Sequence, residues 1–524
     1  MKSKIIGLIF VQLSFFYVTS SFAQQPQASG NIDKPVRVEI PAKSTDETYH
    51  IVTAQSSNIL LYFRSIETVG DSLTKWYISL YDKDLSQVWI KSFLVRTGLD
   101  VKDYSCDNNI LTLVFLASEK SKDIAGSEMI VRLDCQTGSI NATRCLLNGN
   151  VIPQEFRTFR DRIFLGYNLK NEPAHLQIVE LGSGKVIDCQ LTPHGTASTV
   201  TGFLMDTLNN IIYISIRETV SRNRDVTYLQ KMDFSGTKLS ETEISTISPS
   251  WEIRNPQIIL INPDDLLVIA TYSAAGRSTK NNQPKSSSGF FTCRIRNGNE
   301  TNIQFKNFLE LKNFQYMMGD KDLNAIRKKA SKKNRSLDDY ATEVSLLVHP
   351  LIIHNDEVIF MGESYIPEYH SENFTEFDFY GRPYINTYNV FDGYRYTSAI
   401  IAGFDKTGNL KWDNSMEIRN LISTKLDPKV NVYFSSSDTM VLCYSSEARI
   451  ASKIIWKNEV VEKLDFSAMD QIYPEDKMLN ESKNNMVPWY GPFFLCYGYQ
   501  EIKNINSSEN KKRLVFYFTK VKFD

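Results

Sequence analysis

The feature of this sequence that most constrains its fold is a short unit that recurs along the chain. Each copy is a pair of polar residues followed by an apolar run of five or six residues, and the first five copies are about 50 residues apart. The copies are Ser57–Asn58 with Ile59–Phe63, Asn108–Asn109 with Ile110–Phe115, Arg160–Asp161 with Arg162–Tyr167, Asn209–Asn210 with Ile211–Ile216, Asp264–Asp265 with Leu266–Ala270, Asn355–Asp356 with Glu357–Met361, Ser437–Asp438 with Thr439–Cys443, and a weaker run Phe493–Tyr497. A fixed period of this kind indicates one small structural unit used many times.

A second element follows most copies at a similar offset. It consists of a strand pattern, a turn containing Asp or Gly, and another strand pattern. Glycine supplies the positive φ that a tight hairpin needs, and the aspartate side chain caps the turn. The clearest examples are Ile130–Asp134 to Gly138, Leu176–Glu180 to Gly184, Tyr228–Asp233 to Gly236, and Ile400–Asp405 to Gly408. Each unit therefore supplies roughly four strands.

A single four-stranded sheet cannot bury both of its faces. Repeated sheets arranged radially can, because each packs on the next and the ring closes. The sequence thus predicts an all-β fold in one domain spanning 35–524, a β-propeller of seven or eight blades, and the eight copies favour eight. Near the start of this domain, the strand pattern at Val36–Ile40 lacks a local partner. We expect it to pair with the C-terminal blade and close the ring.

The strand–turn–strand phrases also carry a resemblance to known proteins. Phe404–Trp412 in particular resembles blades of the large WD40-like and quinoprotein-like propeller group. The chain is similar in overall style to uncharacterised exported propellers of Bacteroidota-type bacteria. The Trp-Asp and Gly-His signatures of WD40 repeats and the tryptophan docking set of quinoprotein enzymes are absent. The resemblance therefore implies a fold and assigns no functional residue.

The N-terminus has the three parts of a secretory signal peptide. Lys2 and Lys4 form a basic start, Ile5–Phe16 is apolar, and Ser21 and Ala23 occupy the small-residue cleavage positions. We expect 1–23 to be a cleaved signal peptide and 24–34 to be a flexible leader. The apolar run is shorter than the roughly 20 residues that span a bilayer. Because no cysteine stands at the cleavage site, we expect a soluble periplasmic or secreted protein without a membrane span or a lipid anchor.

Composition narrows the possible partners and cofactors. The formal net charge is −1, which argues against general affinity for nucleic acid. The seven cysteines form no CxxC pair and no zinc-like cluster with histidine. Walker, dinucleotide-binding and Gly-x-Ser-x-Gly patterns are also absent. We expect a monomer without a cofactor, without a metal and without a catalytic residue set that a local motif can reveal.

Two insertions lengthen the repeat. The first, at about 315–345, reads as short helices and carries a basic patch that could dock an acidic partner or form the solvated face of a helix. The basic patch consists of Arg327, Lys328, Lys329, Lys332 and Lys333.

The second insertion, at 364–396, is an aromatic-rich loop with interleaved carboxylates and arginines. Tyrosine and arginine favour protein interfaces, and flat rings beside carboxylates suit sugars. Alternatively, the rings pack the loop onto the propeller as a plug, because a long insertion needs its own apolar contacts. The candidate ligand or partner surface consists of Tyr365, Glu368, Tyr369, Glu376, Tyr380, Arg382, Tyr384, Tyr388, Tyr394 and Arg395.

Two functional hypotheses follow. The first is an exported non-enzymatic binding or scaffold propeller with a protein or glycan partner, favoured because no catalytic signature is present. The alternative is a carbohydrate-active enzyme or carbohydrate-binding protein that uses the insertion at 364–396. A glycosidase needs two carboxylates separated by roughly 5–10 Å, and Glu363, Glu368 and Glu376 are the candidates.

Overall fold

The computed structural model describes residues 37–523 apart from 46–47, 55–56, 71, 118–126, 147–151, 192–196, 222–223, 246–250, 275–285, 314–323, 326–327, 329–330, 333–343, 436–437, 470, 474 and 505–510. The predicted signal peptide and leader lie outside the described residues. Among the residues that are described, no helix is long and apolar enough to cross a bilayer.

Within the described residues, the strands form eight antiparallel sheets, seven of four strands and one of six. The predicted all-β propeller is confirmed, and it has eight blades. Every recurring apolar run of the sequence is the second strand of its blade. Four such sheets occupy blades 1 to 4. Their strands are β2 (Tyr49–Thr53), β3 (Ile59–Val69), β4 (Leu73–Tyr81), β5 (Gln87–Arg96), β6 (Leu99–Asp107), β7 (Ile110–Ala117), β8 (Ser127–Asp134), β9 (Ile140–Leu146), β10 (Ile152–Phe159), β11 (Arg162–Asn168), β12 (His175–Glu180), β13 (Lys185–Gln190), β14 (Ser198–Asp206), β15 (Ile211–Ser221), β16 (Arg224–Asp233) and β17 (Lys238–Ile244).

Blades 5 to 8 complete the ring. A 3₁₀ turn, Phe308–Glu310, follows blade 5, and blade 6 has a first strand in two pieces and a short additional strand. Their strands are β18 (Trp251–Asn262), β19 (Asp265–Ala274), β20 (Gly289–Arg296), β21 (Asn299–Asn307), β22 (Leu346–Val348), β23 (Ile352–His354), β24 (Glu357–Phe377), β25 (Pro383–Asp405), β26 (Leu410–Glu417), β27 (Ile422–Ser423), β28 (Asn431–Phe434), β29 (Met440–Ser446), β30 (Arg449–Trp456), β31 (Glu459–Ala468), β32 (Asp476–Tyr490), β33 (Phe493–Asn504), β34 (Lys511–Lys522) and, from the N-terminal end, β1 (Arg37–Pro41).

The N-terminal strand closes the ring, as the sequence predicts. β1 is the outermost strand of blade 8 and pairs antiparallel with β34, with Ile40 opposite Phe516. The closing strand thereby joins the two ends of the described chain through backbone hydrogen bonds.

The hydrophobic core lies between the blades. Eight clusters of buried side chains occur in the described chain, and each joins two consecutive blades. Trp76 of blade 1 meets Phe115 of blade 2 edge to face, with ring centroids 5.1 Å apart. One cluster joins blade 8 to blade 1, through Phe518 and Tyr81 among others. Burial between neighbouring sheets is therefore continuous around the ring.

The recurring polar pairs form the turns between first and second strands. Asn108 and Asn109 have φ of 49° and 62°, and Asn355 and Asp356 have φ of 45° and 63°. Asparagine and aspartate tolerate this left-handed region better than other side chains except glycine. The polar pair is therefore the local signal that bends each apolar run back onto the preceding strand.

Strand direction assigns the connections to two rims. The first-to-second and third-to-fourth turns lie at one end of the blades, which we call the lower rim. The second-to-third hairpins and the connections between blades lie at the other end, the upper rim. The aromatic insertion lies at the upper rim, where 365–396 joins the second and third strands of blade 6. The connection from blade 5 to blade 6, which contains the first insertion, starts and ends at the same rim.

Candidate functional site

The aromatic insertion is a two-stranded ribbon rather than an irregular loop. β24 and β25 continue beyond the blade as an antiparallel pair, from Tyr365 opposite Tyr396 to Phe377 opposite Pro383. The tip turn is held by the Asp378 carboxylate, which accepts from the backbone N–H groups of Tyr380 and Arg382. Alternating β-forming residues explain why a segment predicted as a loop pairs with itself instead.

One face of the ribbon carries a fixed carboxylate. Glu376 accepts hydrogen bonds from Tyr384 Oη at 2.7 Å, from Asn386 Nδ2 at 3.2 Å and from Tyr388 Oη. Donation from Tyr388, Tyr384 and Asn386 lowers the pKa of Glu376. The structure thus brings together three of the predicted site residues, Glu376, Tyr384 and Tyr388, around an ionised group.

The same face carries His370 between two further carboxylates. Its Nε2 lies 3.0 Å from Glu372 Oε1, and its Nδ1 lies 2.5 Å from Asp392 Oδ1. Hydrogen bonds with Glu372 and Asp392 raise the pKa of His370. This face is therefore acidic, and its carboxylates already accept hydrogen bonds from neighbouring side chains of the same face.

The opposite face combines exposed rings with hydroxyl and amide groups. Tyr369 and Phe391 are 60% and 40% exposed, and their ring centroids are 5.4 Å apart. Beyond them, Ser371 Oγ donates to Asn389 Oδ1 at 3.0 Å. Thr387 Oγ1 donates to Asn373 Oδ1 at 2.8 Å. We call these six residues the ring–amide face.

The remaining predicted residues of the insertion form two separate groups. At the base, the rings of Tyr365 and Tyr394 meet edge to face at 5.4 Å, and burial raises the pKa of Tyr365 to about 12. Glu368 forms an ion pair with Arg395 near the base. At the tip, the Arg382 guanidinium lies 5.7 Å from the centroid of the Tyr380 ring.

The tip of the ribbon does not pack onto the propeller, whereas Tyr394 at its base packs against buried residues of blades 6 and 7. Tyr380 is 79% exposed and its neighbour Phe379 is 98% exposed. The alternative of a self-packed plug is therefore wrong for the tip, which projects its rings into solvent.

The three candidate carboxylates of the insertion do not form a glycosidase pair. Glu363, Glu368 and Glu376 lie on one strand, and a strand rises about 3.3 Å per residue. Neighbouring candidates are therefore separated by roughly 16 Å and 26 Å, beyond the roughly 5–10 Å that the reaction needs. Glu363 is in addition fully buried, and its Oε1 accepts from the backbone N–H of Lys429 and of Val430 at 2.8 Å each.

A second pair of carboxylates lies on the first strands of neighbouring blades. Asp103 is on β6 and Glu155 is on β10, and the Arg157 guanidinium lies 3.1 Å from Glu155 Oε2. Burial raises the pKa of Asp103 and of Glu155. The charge of Asp103 raises the pKa of Glu155 further, whereas the positive charge of Arg157 acts against both increases. Raised carboxyl pKa values in a polar recess are typical of acid–base groups.

Glu155 also lines a polar pocket at the upper rim. The pocket has a volume of about 250 Å³ and draws on blades 3, 4 and 5. Thr199, Arg217 and Thr227 stand opposite one another on three adjacent strands, and Thr199 Oγ1 is buried without a hydrogen-bond partner among the described residues. The lining consists of Gln154, Glu155, Asn168, Thr199, Val200, Thr201, Arg217, Thr227, Ile253, Asn255 and Pro256.

Sequence reasoning missed the pocket and the carboxylate pair. Asp103 and Glu155 are 52 residues apart, and the pocket residues come from three repeats. No local spacing marks such a site. The one available signal is that the pocket residues lie near the start of a first or third strand or the end of a second strand, where strands reach the upper rim.

The basic patch is only partly described. Lys328 and Lys332 are helical and exposed, in keeping with short helices in this insertion. Arg327, Lys329 and Lys333 lie outside the described residues.

Comparisons with known proteins concern the fold. No protein-family model matches the chain, and no curated protein matches it. Dihydro-heme d1 dehydrogenase NirN in complex with DHE is similar in structure, with a TM-score of 0.43, 10% identity, and coverage of 95% of this chain and 83% of that chain. The polysaccharide lyase Uly1 is similar with a TM-score of 0.39 and 10% identity, over 80% of this chain and 89% of that chain. A PL25 ulvan lyase bound to -[GlcA(1-4)Rha3S]- is similar with a TM-score of 0.40 and 10% identity, over 79% of this chain and 90% of that chain.

The comparisons do not support the first functional hypothesis, a non-enzymatic binding or scaffold module, over its carbohydrate-active alternative. The similar structures are enzymes, and two of them are polysaccharide lyases. The hypothesis rested on the absence of a local catalytic motif. A propeller assembles its rim from residues of different blades, so such a motif is not required. At these scores the likeness carries no residue-level correspondence, and any site must be argued from the residues of this chain.

Proposed function

We propose that this protein is a carbohydrate-active enzyme that binds and cleaves sugar chains at its upper rim. The observation that carries the proposal is the ring–amide face of the ribbon. Sugar rings present a C–H face to aromatic side chains and hydroxyl groups to amides and hydroxyls, and this face offers both kinds of partner. Tyr369 and Phe391 supply the rings, and the Ser371–Asn389 and Asn373–Thr387 pairs supply the polar groups.

The rim pocket supports the same proposal. Its volume of about 250 Å³ is below the roughly 300 Å³ minimum of pockets for drug-sized ligands, and it suits one sugar ring of a longer chain. Its hydroxyls, amides, one arginine and one carboxylate offer directional hydrogen bonds to a ligand rich in hydroxyl groups.

The Asp103–Glu155 pair supplies the chemistry. Glu155 lines the pocket, and its raised pKa favours the protonated form that a general acid needs. Asp103 is the second carboxylate of an acid–base pair, and Arg157 holds Glu155 in place. The pKa of Glu376 is lowered, so this group does not suit a general acid, and we propose that the ribbon binds the sugar chain without taking part in its cleavage.

Binding is tested with purified protein against a panel of neutral and acidic polysaccharides in affinity electrophoresis. We expect retardation by at least one of them and a loss of about tenfold in affinity for Tyr369→Ala, because stacking contributes about 1 kcal/mol or more. Trp456→Ala is the control, since Trp456 is a comparably exposed ring that lies at a turn of the lower rim. Equal losses for the two variants would contradict binding at the ribbon.

Cleavage is tested on whichever polysaccharide is retarded, by following newly formed chain ends. Glu155→Gln is expected to lower the rate by about 100-fold or more while binding is retained. Binding without cleavage by the wild-type protein would remove the enzymatic half of the proposal and leave a carbohydrate-binding protein.

Export belongs to the same proposal. The residues of 1–23 and the resemblance to exported propellers support secretion, and polymeric sugars are met outside the cell. N-terminal sequencing of protein produced from the full chain in a bacterial host is expected to give Gln24 as the first residue. Recovery of intact Met1 from the cytoplasm alone would contradict export.

A further inference from the structure

A further pocket opens at the lower rim between blades 4 and 5, at the opposite end of the blades from the proposed sugar site. Its volume is about 280 Å³, which suits a ligand smaller than a drug-sized molecule. Two turns of blade 5 supply Asp264, Asn297 and Gly298, and these turns place the pocket at the lower rim. The lining consists of Tyr213, Leu229, Lys231, Ser240, Thr242, Asp264, Leu266, Ile295, Asn297 and Gly298.

One wall of this pocket is the face of blade 4 that packs towards blade 5. Tyr213, Lys231 and Ser240 stand opposite one another on β15, β16 and β17. Leu229 and Thr242 form the next row of the same face, because residues two apart on a strand point to the same side. Directly paired residues of neighbouring strands have adjacent side chains, so this wall presents apolar, hydroxyl and ammonium groups together.

The bottom of the pocket is apolar. It is formed by four side chains that are at most 4% exposed and belong to the hydrophobic cluster between blades 4 and 5: Tyr213, Leu229, Leu266 and Ile295. An apolar group of a ligand gains free energy when it leaves water for such a surface. The volume and this surface together favour a ligand with a small aliphatic group.

Two opposite charges complete the pocket. The Lys231 ammonium forms an ion pair with Asp264 Oδ1, and Tyr213 Oη donates to the same oxygen at 3.4 Å. Both charged groups keep hydrogen-bonding capacity: within the described chain, the three donors of Lys231 have this one partner, and Asp264 Oδ2 accepts from no side chain. The other lining residues are uncharged, so the pocket offers a cation and an anion side by side and has no net charge.

A ligand that complements this pair carries an anion and a cation close together and an apolar group beside them. We infer that the pocket binds a free α-amino acid with an aliphatic side chain, whose ammonium donates to Asp264 and whose carboxylate accepts from Lys231. Hydrogen bonds between charged groups are the strong ones, and the aliphatic side chain covers the apolar bottom. The inference does not depend on the proposed function, because this pocket and the upper-rim pocket share no residue.

Isothermal titration calorimetry of the purified protein with L-leucine tests the site. We expect a Kd of about 1 mM or tighter. The matched probes are N-acetyl-L-leucine, which lacks the ammonium, and L-leucinamide, which lacks the carboxylate. Each is expected to bind at least about tenfold more weakly, because one charge of the pocket loses its partner. Absence of leucine binding, or equal affinity for the three compounds, would overturn the inference.

The variant Asp264→Asn removes one charge without disturbing the turn. Asp264 has a φ of 57°, in the left-handed region that asparagine also tolerates. We expect leucine binding to weaken by about tenfold or more. Asp356→Asn is the matched control, since Asp356 occupies the equivalent turn of blade 6, has a φ of 63° and forms an ion pair with Lys406. The same leucine affinity in both variants would overturn the inference.

Lys231→Met distinguishes recognition of the carboxylate from a change in the shape of the pocket. Leucine should lose about tenfold in affinity, because its carboxylate loses the ammonium. Leucinamide, which has no carboxylate, should bind this variant at least as tightly as it binds the wild type, because its ammonium still meets Asp264. An equal loss for both compounds would overturn the inference.

Discussion

The Arg37 guanidinium donates to Gln500 Oε1 at 2.7 Å although the two residues are 463 positions apart in the chain. Arg37 also donates to Glu39 Oε1 at 2.9 Å and lies 4.3 Å from the centroid of the Tyr517 ring. These contacts fix the closing strand against blade 8. Ring closure therefore depends on a buried polar cluster as well as on the β1–β34 ladder.

Replacing Arg37 tests this dependence. Arg37→Met leaves Glu39 buried without its nearest cation, and breaking a buried pair in this way costs about 3 kcal/mol of unfolding free energy. Urea denaturation measures the loss. Arg419→Met, in an exposed pair with Glu417, is expected to cost less than about 1 kcal/mol. A similar cost for both variants would show that the buried cluster does not stabilise closure.

A buried acid makes stability depend on pH. Glu128 is 2% exposed, neither carboxyl oxygen has a hydrogen-bond partner among the described residues, and burial raises its pKa to about 7. Because the folded pKa exceeds the unfolded value of 4.5, the penalty for ionisation is absent below pH 4.5. It grows as pH rises towards 7, reaching about 3 kcal/mol above that.

Glu128→Gln should therefore gain stability relative to wild type by about 3 kcal/mol between pH 4 and pH 8. Urea denaturation across this pH range measures the difference in unfolding free energy between the variant and the wild type. A constant cost of the amide does not affect how this difference changes with pH. Glu459→Gln, at an exposed position, should show no such trend. A flat difference for Glu128→Gln would mean that burial does not raise the pKa of this carboxyl group in the folded protein.

Close packing between strands of blade 6 leaves no room for a side chain at Gly403. A Cβ at Gly403 would lie 2.2 Å from the Trp412 indole, whose Nε1 donates to Glu357 Oε2 at 2.8 Å. Gly403→Ala is expected to destabilise the protein by about 1–3 kcal/mol through overpacking. Gly182→Ala, where a Cβ meets no atom within 4 Å, is the matched control in thermal denaturation. Equal melting temperatures would contradict the contact.

The ribbon carboxylate offers a test that leaves the fold intact. Tyr388→Phe removes one donor to Glu376 and keeps the ring, so the pKa of Glu376 should rise towards its ordinary value. Carbon NMR of the glutamate carboxyl groups measures this pKa. Tyr380→Phe, at the tip of the same ribbon, is the control and should leave it unchanged. A pKa that Tyr388→Phe does not alter would mean that this hydrogen bond is absent in solution.

The propeller could be predicted from sequence because its signals are local. Asn108–Asn109 and Asn355–Asp356 mark turns by their own tolerance of positive φ, and the apolar run after each pair marks a strand. The ring-closing strand could be predicted as well, because a strand without a neighbour in sequence must find one elsewhere.

The candidate site could be predicted only in part. Glu376, Tyr384 and Tyr388 are neighbours in sequence and also in space, so composition located them. Asp103 and Glu155, by contrast, come together through packing of successive blades, which no local pattern encodes. The two faces of the ribbon could not be predicted from the sequence, because aromatic, carboxylate and amide residues are mixed along it. Only the strand pairing shows which of them share a face.

Hydrogen–deuterium exchange with a bound oligosaccharide shows directly whether sugar chains bind at the upper rim. The ligand is a fragment of whichever polysaccharide the protein retains. We expect new protection in 198–204 of the pocket and 369–391 of the ribbon, and no change at the lower-rim turns 134–138 and 405–408. Protection confined to the lower rim, or saturating binding without protection at the upper rim, would contradict this expectation.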